Sequence, residues 1–508
     1  MLAEFAVFTF CLYCIWYVYS TMKERKTLPP GPFPLPLIGN AHLVGKDMPS
    51  SLQLLGEKYG DVFTLRVPSG NFIVVNSGRI MQEMLVKSKD DFANRPSGSR
   101  LIARDLFKNK SFPFSPYGPF YLFCRKVITH ALHMYGEGVK TAENRVQHEV
   151  KQLMVQMEKA SEAPFCPIEL LYQTITNVTT SWLIDQRYDY GDPIFKKLRK
   201  FVDDVIHISH QWINLDFLPF YEYLPLDMSK RFWEAKKLRD EYFGKFLEEH
   251  RGTYKVGEVR DIVDALLAAY EAEKLKTKGK DVGTSDDIQT LLMDFLIASS
   301  DTTTSTLSWF LLYMVLHQEV QKKLHEELDS VIGRDHAPSY KETDNLPFLQ
   351  ATICETIRHA SPVPLLGRKA LRDTKIKEYE IPQDTRILLN MWCVNNDPKE
   401  WKDPLVFDPT RFLDENGKFR GWNTSASFYP FGAGIRSCLG QSLAKMNLLV
   451  VTSNLLHYFH FGAYNGDKSL CFDSDLDGVL YPKDFLMVAS KRIKTNDDDK
   501  NDGCKGSG

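Results

Sequence analysis

Charge of one sign is what this sequence lacks: 63 lysines and arginines meet 65 aspartates and glutamates, leaving a formal charge of −2 over 508 residues. A nucleic-acid binder working by bulk electrostatics carries a basic excess or stripe, so that class is excluded. Cysteine is sparse and unpatterned. The nine residues show neither paired C-x-x-C spacings nor the density of a disulfide scaffold, which excludes zinc knuckles and suits a reducing compartment. Thirteen histidines include His130/His133 and His207/His210 at i, i+3, but neither pair has a third ligand at a metal-binding spacing. Internal repeats are absent, and the one biased segment is the polar tail 494–508. With 43% hydrophobic residues the remainder is ordinary globular composition, long enough for a sizeable core.

A long apolar run occurs once, at the start. Residues 2–22 are apolar except for Glu4 and a few hydroxyls, close to the roughly 20 residues a spanning helix needs. The basic Lys23, Arg25 and Lys26 follow this run, unlike the flanks of a cleaved signal, and keep the rest of the chain cytoplasmic. Residues 1–22 are therefore expected to be a transmembrane signal anchor. In the basic, proline-rich linker 23–39, five prolines fall within eight residues (Pro29, Pro30, Pro32, Pro34, Pro36), which predicts a stiff spacer. A single catalytic body then spans 40–493, and 494–508 is a disordered tail.

Within the body, 63–75 reads as a β-hairpin, and 375–391 holds two more alternating stretches. Helical periodicity dominates elsewhere, including 233–250, 261–274 and 286–316, the last with Ser285 as N-cap. The fold class is mainly α with small β-sheets.

Three features carry chemistry. In the stretch 286–316, two apolar segments flank eight polar residues, 299–306. Asp301 at mid-span disfavours a second membrane crossing. Hydroxyls there can bond back to i−4 carbonyls, so the run is either a bend with room for water and a proton donor or a satisfied Ser/Thr core patch. Glu355 and Arg358 form an acid–base pair at i, i+3, which alone means little. The third feature runs from Phe431 through Gly432, Gly434, Arg436 and Cys438 to Gly440 and leads into an apolar-periodic helix, 441–461. Each residue has a use if Cys438 ligates a haem iron. The helix end and Arg436 favour thiolate over thiol. Gly434 and Gly440 let the backbone approach a flat macrocycle, Phe431 shields the sulfur, and Arg436 pairs with a propionate.

The pattern F-x-x-G-x-R-x-C-x-G over 431–440 resembles the haem-binding signature of the cytochrome P450 superfamily. Anchor, proline hinge, acid–Thr pair, E-x-x-R and Phe407 to Phe412 follow in that family's order. The chain is most similar to its microsomal group, which includes steroid 17-alpha-hydroxylases and xenobiotic oxidases. The resemblance implies one large P450-fold domain holding haem b on the Cys438 thiolate. It also implies a buried triad of Glu355, Arg358 and Arg411, proton relay by Asp301 and Thr302, and propionate contacts from Tyr121, Arg125, Arg368 and Arg436. The implied reaction inserts one atom of O2 into a lipophilic substrate at the endoplasmic reticulum membrane. Electrons come from NADPH through a separate reductase, with cytochrome b5 as a further donor. Arg125, Lys126 and Lys445 are candidate basic contacts for the reductase.

The chain departs from the family at three places. Ser299 stands where a glycine is usual beside bound oxygen, and Tyr121 where a tryptophan is usual. Val202 stands where steroid 17-alpha-hydroxylases carry an asparagine that hydrogen-bonds the steroid, and a valine cannot do so. Xenobiotics and fatty acids are therefore alternative substrates. A peroxide-rearranging relative would lack the acid–Thr pair, a haem-thiolate sensor would not need the anchor and relay, and a haem-free scaffold would leave the Cys438 region without a purpose.

Overall fold

The computed structural model describes residues 2–45, 47–96, 102–134, 139–160, 163–212, 223–276, 283–464 and 474–492. The tail 494–508 lies outside them. The architecture is mostly helical, organised around the helix Asp287–Leu316. That helix is apolar on nearly every side, and neighbours bury it: Ile168–Leu183, Pro347–Ala360 and Gln441–Tyr458 all pack against it. It is continuous. Thr302 Oγ1 donates to the Ala298 carbonyl, Thr306 to Thr302 and Ser308 to Thr304, each at 2.8 Å, without breaking the helix. Much of the polar run is thus a satisfied core patch. Ser285 does not cap the helix; Asp286 takes that position, while the Ser285 hydroxyl accepts from Arg251 at 2.8 Å.

The predicted hairpin forms as Val62–Val67 and Gly70–Val75, with Gly70 at φ +123° in the turn. Its second strand pairs in parallel with Arg386–Asn390, which pairs antiparallel with Leu365–Lys369. The other sheets have two strands each. The periodic stretch 233–250 is interrupted: helices Asp227–Leu238 and Lys245–Thr253 flank a π-helical turn, Arg239–Gly244. Ile262–Lys276 forms as expected. The helix starting at Gln441 ends at Tyr458, and Phe459–Ala463 continues as a strand.

The N-terminal helix covers Leu2–Arg25 with Phe5, Ile15 and Trp16 more than 60% exposed. Tyrosines and hydroxyls dilute its apolarity, and among the described residues no helix is long and apolar enough to cross a membrane. The proline-rich segment after it is not a free spacer. Thr64 binds the carbonyls of Pro29 and Pro30 at 2.8 Å, and a Cβ on Gly31 would lie 2.1 Å from the Thr64 carbonyl oxygen. Glu24 pairs with Arg66 at 2.9 Å, seating the end of the helix on the hairpin.

Candidate active site

The loop before the helix Gln441–Tyr458 folds back on itself. Its backbone N–H at Cys438 donates to the Phe431 carbonyl at 2.9 Å, and that of Ser437 to Gly434 at 3.1 Å. Gly434 sits at φ +70°, and a Cβ there would lie 2.0 Å from the Leu85 carbonyl oxygen. The left-handed φ and the Leu85 backbone each require a glycine there. Gly440 has an ordinary φ of −86° and stands at the N-cap of the helix Gln441–Tyr458. Burial pushes the Cys438 thiol above its usual pKa, and the Gly440 N–H only partly offsets this. Arg436 does not favour the thiolate as expected, because its guanidinium is aimed elsewhere.

Cys438 opens into a cavity of about 300 Å3. Leu439, Gly440, Ala444 and Asn447 line it from the cysteine side, and Asp294, Ala298, Ser299 and Thr302 from the central helix. Ser299 occupies its own hydroxyl, donating to Phe295 at 2.7 Å and meeting Thr179 at 3.0 Å. Phe431 is half-buried beside Trp422, 5.9 Å between centroids. Lys445 holds its ammonium 4.9 Å from the Trp422 ring and 5.4 Å from Phe431, so this lysine is spent on aromatic faces. Lys126 keeps 70% of its side chain exposed, although it pairs with Glu273.

Arg95 and Arg436 line the cavity, and Arg368 lies within electrostatic reach of both. Arg436 donates to the carbonyls of Ala93 and Ser115, both at 2.7 Å, and its Nη1 is buried with no partner. Arg95 donates to Gly367 at 2.9 Å and leaves Nε unpartnered. Arg368 is 1% exposed, and among the described residues its one hydrogen bond is to the preceding carbonyl. Desolvation lowers all three pKa values, those of Arg368 and Arg436 to about 10 and that of Arg95 well below its ordinary value, with repulsion from Arg368 and Arg436 adding at Arg95, from Arg436 at Arg368 and from Arg125 at Arg436. Among the described residues none of the three pairs with a carboxylate. Buried cations held apart from any anion are costly, and they fit a group that brings its own carboxylates, as haem does with its propionates.

No motif in the sequence singles out Arg95, and only its burial beside Arg368 and Arg436 marks it as a site residue. Arg125 and Tyr121 are placed differently from expectation. The Tyr121 hydroxyl donates to the Ile435 carbonyl at 2.9 Å, and Arg125 reaches the same carbonyl at 3.0 Å, so both brace the cysteine loop.

Asp301 and Thr302 diverge. Thr302 lines the cavity, whereas Asp301 is 4% exposed and turned toward other elements. Its Oδ1 accepts from the Tyr481 hydroxyl at 3.1 Å and lies 3.6 Å from Arg199. Val202 is buried in the same apolar cluster as Phe201 and Val205 and is not among the residues that line the cavity with Cys438. Glu355 and Arg358 are both 0% exposed and joined by two bonds of 2.7 Å, with Arg411 Nε 3.4 Å from Glu355. Arg358 also donates to the Asn395 carbonyl at 2.7 Å, tying this helix to the segment after the main sheet. The cluster His250, Asp261 and Asp264 is internally satisfied: His250 bonds Asp261 at 2.7 Å, and Arg260 takes Asp264 at 2.6 Å.

The family model Cytochrome P450 matches residues 29–488. The chain belongs to the cytochrome P450 family. It is 33% identical to a steroid 17-alpha-hydroxylase/17,20 lyase of Ictalurus punctatus over 91% of each chain. It is 31% identical to cytochrome P450 2U1 of Rattus norvegicus over 94% of this chain and 93% of that one. Cytochrome P450 1A1 of the same species is also 31% identical, over 91% of this chain and 90% of the relative. As a P450, the chain has the mainly helical P450 fold and is a monooxygenase that uses haem on a cysteine thiolate, O2 and NADPH-derived electrons from a reductase.

Proposed function

We propose that this P450 hydroxylates a steroid-like lipophilic substrate at the endoplasmic reticulum membrane, with Cys438 as the iron ligand. The observation that carries the reading is the cavity shared by Cys438 and Thr302, with unpaired nitrogens of Arg95 and Arg436 at its wall. Haem bound there would be held through its iron by the Cys438 thiolate and would supply the oxygen activation. Arg95, Arg368 and Arg436 hold the propionates, while Tyr121 and Arg125 steady the loop that carries the ligand. Thr302 holds a proton at Oγ1 facing the cavity. Asp301 supplies protons to it through water after leaving Tyr481 and Arg199. Phe431 excludes water from the sulfur. The triad Glu355, Arg358 and Arg411 keeps the core rigid under the cysteine loop.

The body 40–493 acts as one catalytic domain. The exposed apolar side chains of Leu2–Arg25 enter the bilayer, and the Glu24–Arg66 pair sets the attitude of the body. Lys126 is the basic residue best placed to meet a reductase or cytochrome b5.

The test is an optical titration of the ferric protein with progestogen-type steroids. A saturable blue shift of the haem band supports a steroid displacing water from iron. No shift, with an intact thiolate-haem spectrum, moves the substrate to xenobiotics or fatty acids.

A further inference from the structure

We propose that Asp294 is a positioning residue for the haem: through the five-residue segment 111–115 it sets Arg436, a member of the propionate cradle. The inference rests on reading the cavity as the haem slot. Asp294 sits on the central helix in the wall of that cavity and is 8% exposed. Its two oxygens take different donors. Oδ1 accepts from the Ser111 hydroxyl at 2.8 Å, and Oδ2 from the Phe112 backbone N–H at 2.7 Å.

The segment these donors belong to forms no helix or strand, so bonds of this kind decide where it lies. From Phe112 it reaches the cradle twice. The Phe112 ring stacks on Tyr121, 5.0 Å between centroids and 8° between planes, and the Arg436 guanidinium lies 3.7 Å over the same tyrosine. Three residues on, the Ser115 hydroxyl donates back to the Phe112 carbonyl at 2.9 Å, and the Ser115 carbonyl accepts from Arg436 at 2.7 Å. A continuous chain of contacts therefore runs from the wall of the central helix to a guanidinium awaiting an anion.

The chemistry of Asp294 fits this role better than that of a structural ion pair. Among the described residues no cation pairs with it, and burial pushes its carboxyl up to about 7 against the pull of the two donors. A lone buried carboxylate costs stability, and its return is the fixed position of the segment it holds.

The test uses the haem-loaded enzyme with two readouts: the propionate bending bands in resonance Raman spectra, and the rate of haem transfer to apomyoglobin. Asp294→Asn keeps the shape but puts an NH2 donor in place of one acceptor oxygen, so either Ser111 or Phe112 loses its partner. It is expected to shift the propionate bands and speed haem loss about tenfold. Asp294→Glu, with two acceptor oxygens, restores the rate toward wild type. Gln289→Ala, on the same helix but bonded to Lys108 and Arg239 instead, leaves both readouts unchanged. Wild-type bands and rate in Asp294→Asn would overturn the proposal. If that variant does not fold, Ser111→Ala decides by the same two readouts, since it removes one bond without touching the central helix. A wild-type protein that binds no haem overturns the slot reading itself, and that result is seen before any variant is compared.

Discussion

Glu355 and Arg358, one turn apart on the helix Pro347–Ala360, close two hydrogen bonds of 2.7 Å with neither side chain exposed. Arg358 also donates to the carbonyls of Asn395 and Pro404, so one guanidinium ties together two stretches of chain beyond its helix. Removing either partner strands a charge in the core. Glu355→Leu is expected to cost about 3–5 kcal/mol of stability, read by denaturant unfolding of the haem-loaded protein. A loss under about 1 kcal/mol would mean the pair behaves as a surface salt bridge.

Thr302→Ala removes the one hydroxyl of the acid–alcohol pair that faces the cavity. NADPH consumption should continue while product per NADPH falls several-fold, and Thr302→Ser should recover most of the yield. Unchanged yield in the alanine variant would end the role of Thr302 in proton delivery.

Arg95→Gln removes a cation that repels Arg368 and Arg436 and leaves one fewer partner for an anion. The haem-free variant should be at least as stable as the wild type, while haem is lost faster. Faster unfolding with unchanged haem retention would show that Arg95 serves packing alone.

Acid stability follows from two half-buried histidines. Burial lowers His325 and His359 to about 4, with Arg492 and His460 adding to the effect at His325 and Arg358 at His359. The unfolded chain binds protons at these rings near pH 6.5, so between about pH 4 and 6.5 it holds more protons than the folded protein. Their contribution is complete above about pH 6.5 and is lost as pH falls toward 4. His325→Gln retains a donor for the Phe459 carbonyl and removes one titrating ring, so unfolding across this window should show a shallower pH slope. An unchanged slope would contradict the assignment.

What the sequence made legible was local and ordered. The run from Phe431 to Gly440 announced a cysteine at a helix start, the alternation around 63–75 gave the hairpin, and i, i+3 spacing brought Glu355 to Arg358 on one helix face. Relations across the fold were not legible. Nothing in the order of residues reveals that Asp301 turns to Tyr481 and Arg199 while its neighbour Thr302 faces the cavity, because a one-residue step on a helix rotates the side chain by about 100° and tertiary partners choose the rest. Arg95 and Asp294 were missed for the same reason. Each is an ordinary charged residue until burial and the missing counter-ion mark it. The N-terminal run formed its helix, but tyrosines and hydroxyls that a count of apolar letters passes over leave its membrane role to experiment.

Whether Cys438 ligates the haem is read from the ferrous–carbon monoxide absorption spectrum of the haem-loaded protein, wild type beside Cys438→His. Ligation by Cys438 gives the strongly red-shifted Soret band of a thiolate-ligated carbonyl haem in the wild type and an imidazole-type band in the variant. The same thiolate band in both proteins would contradict it, because the ligand would then be another cysteine.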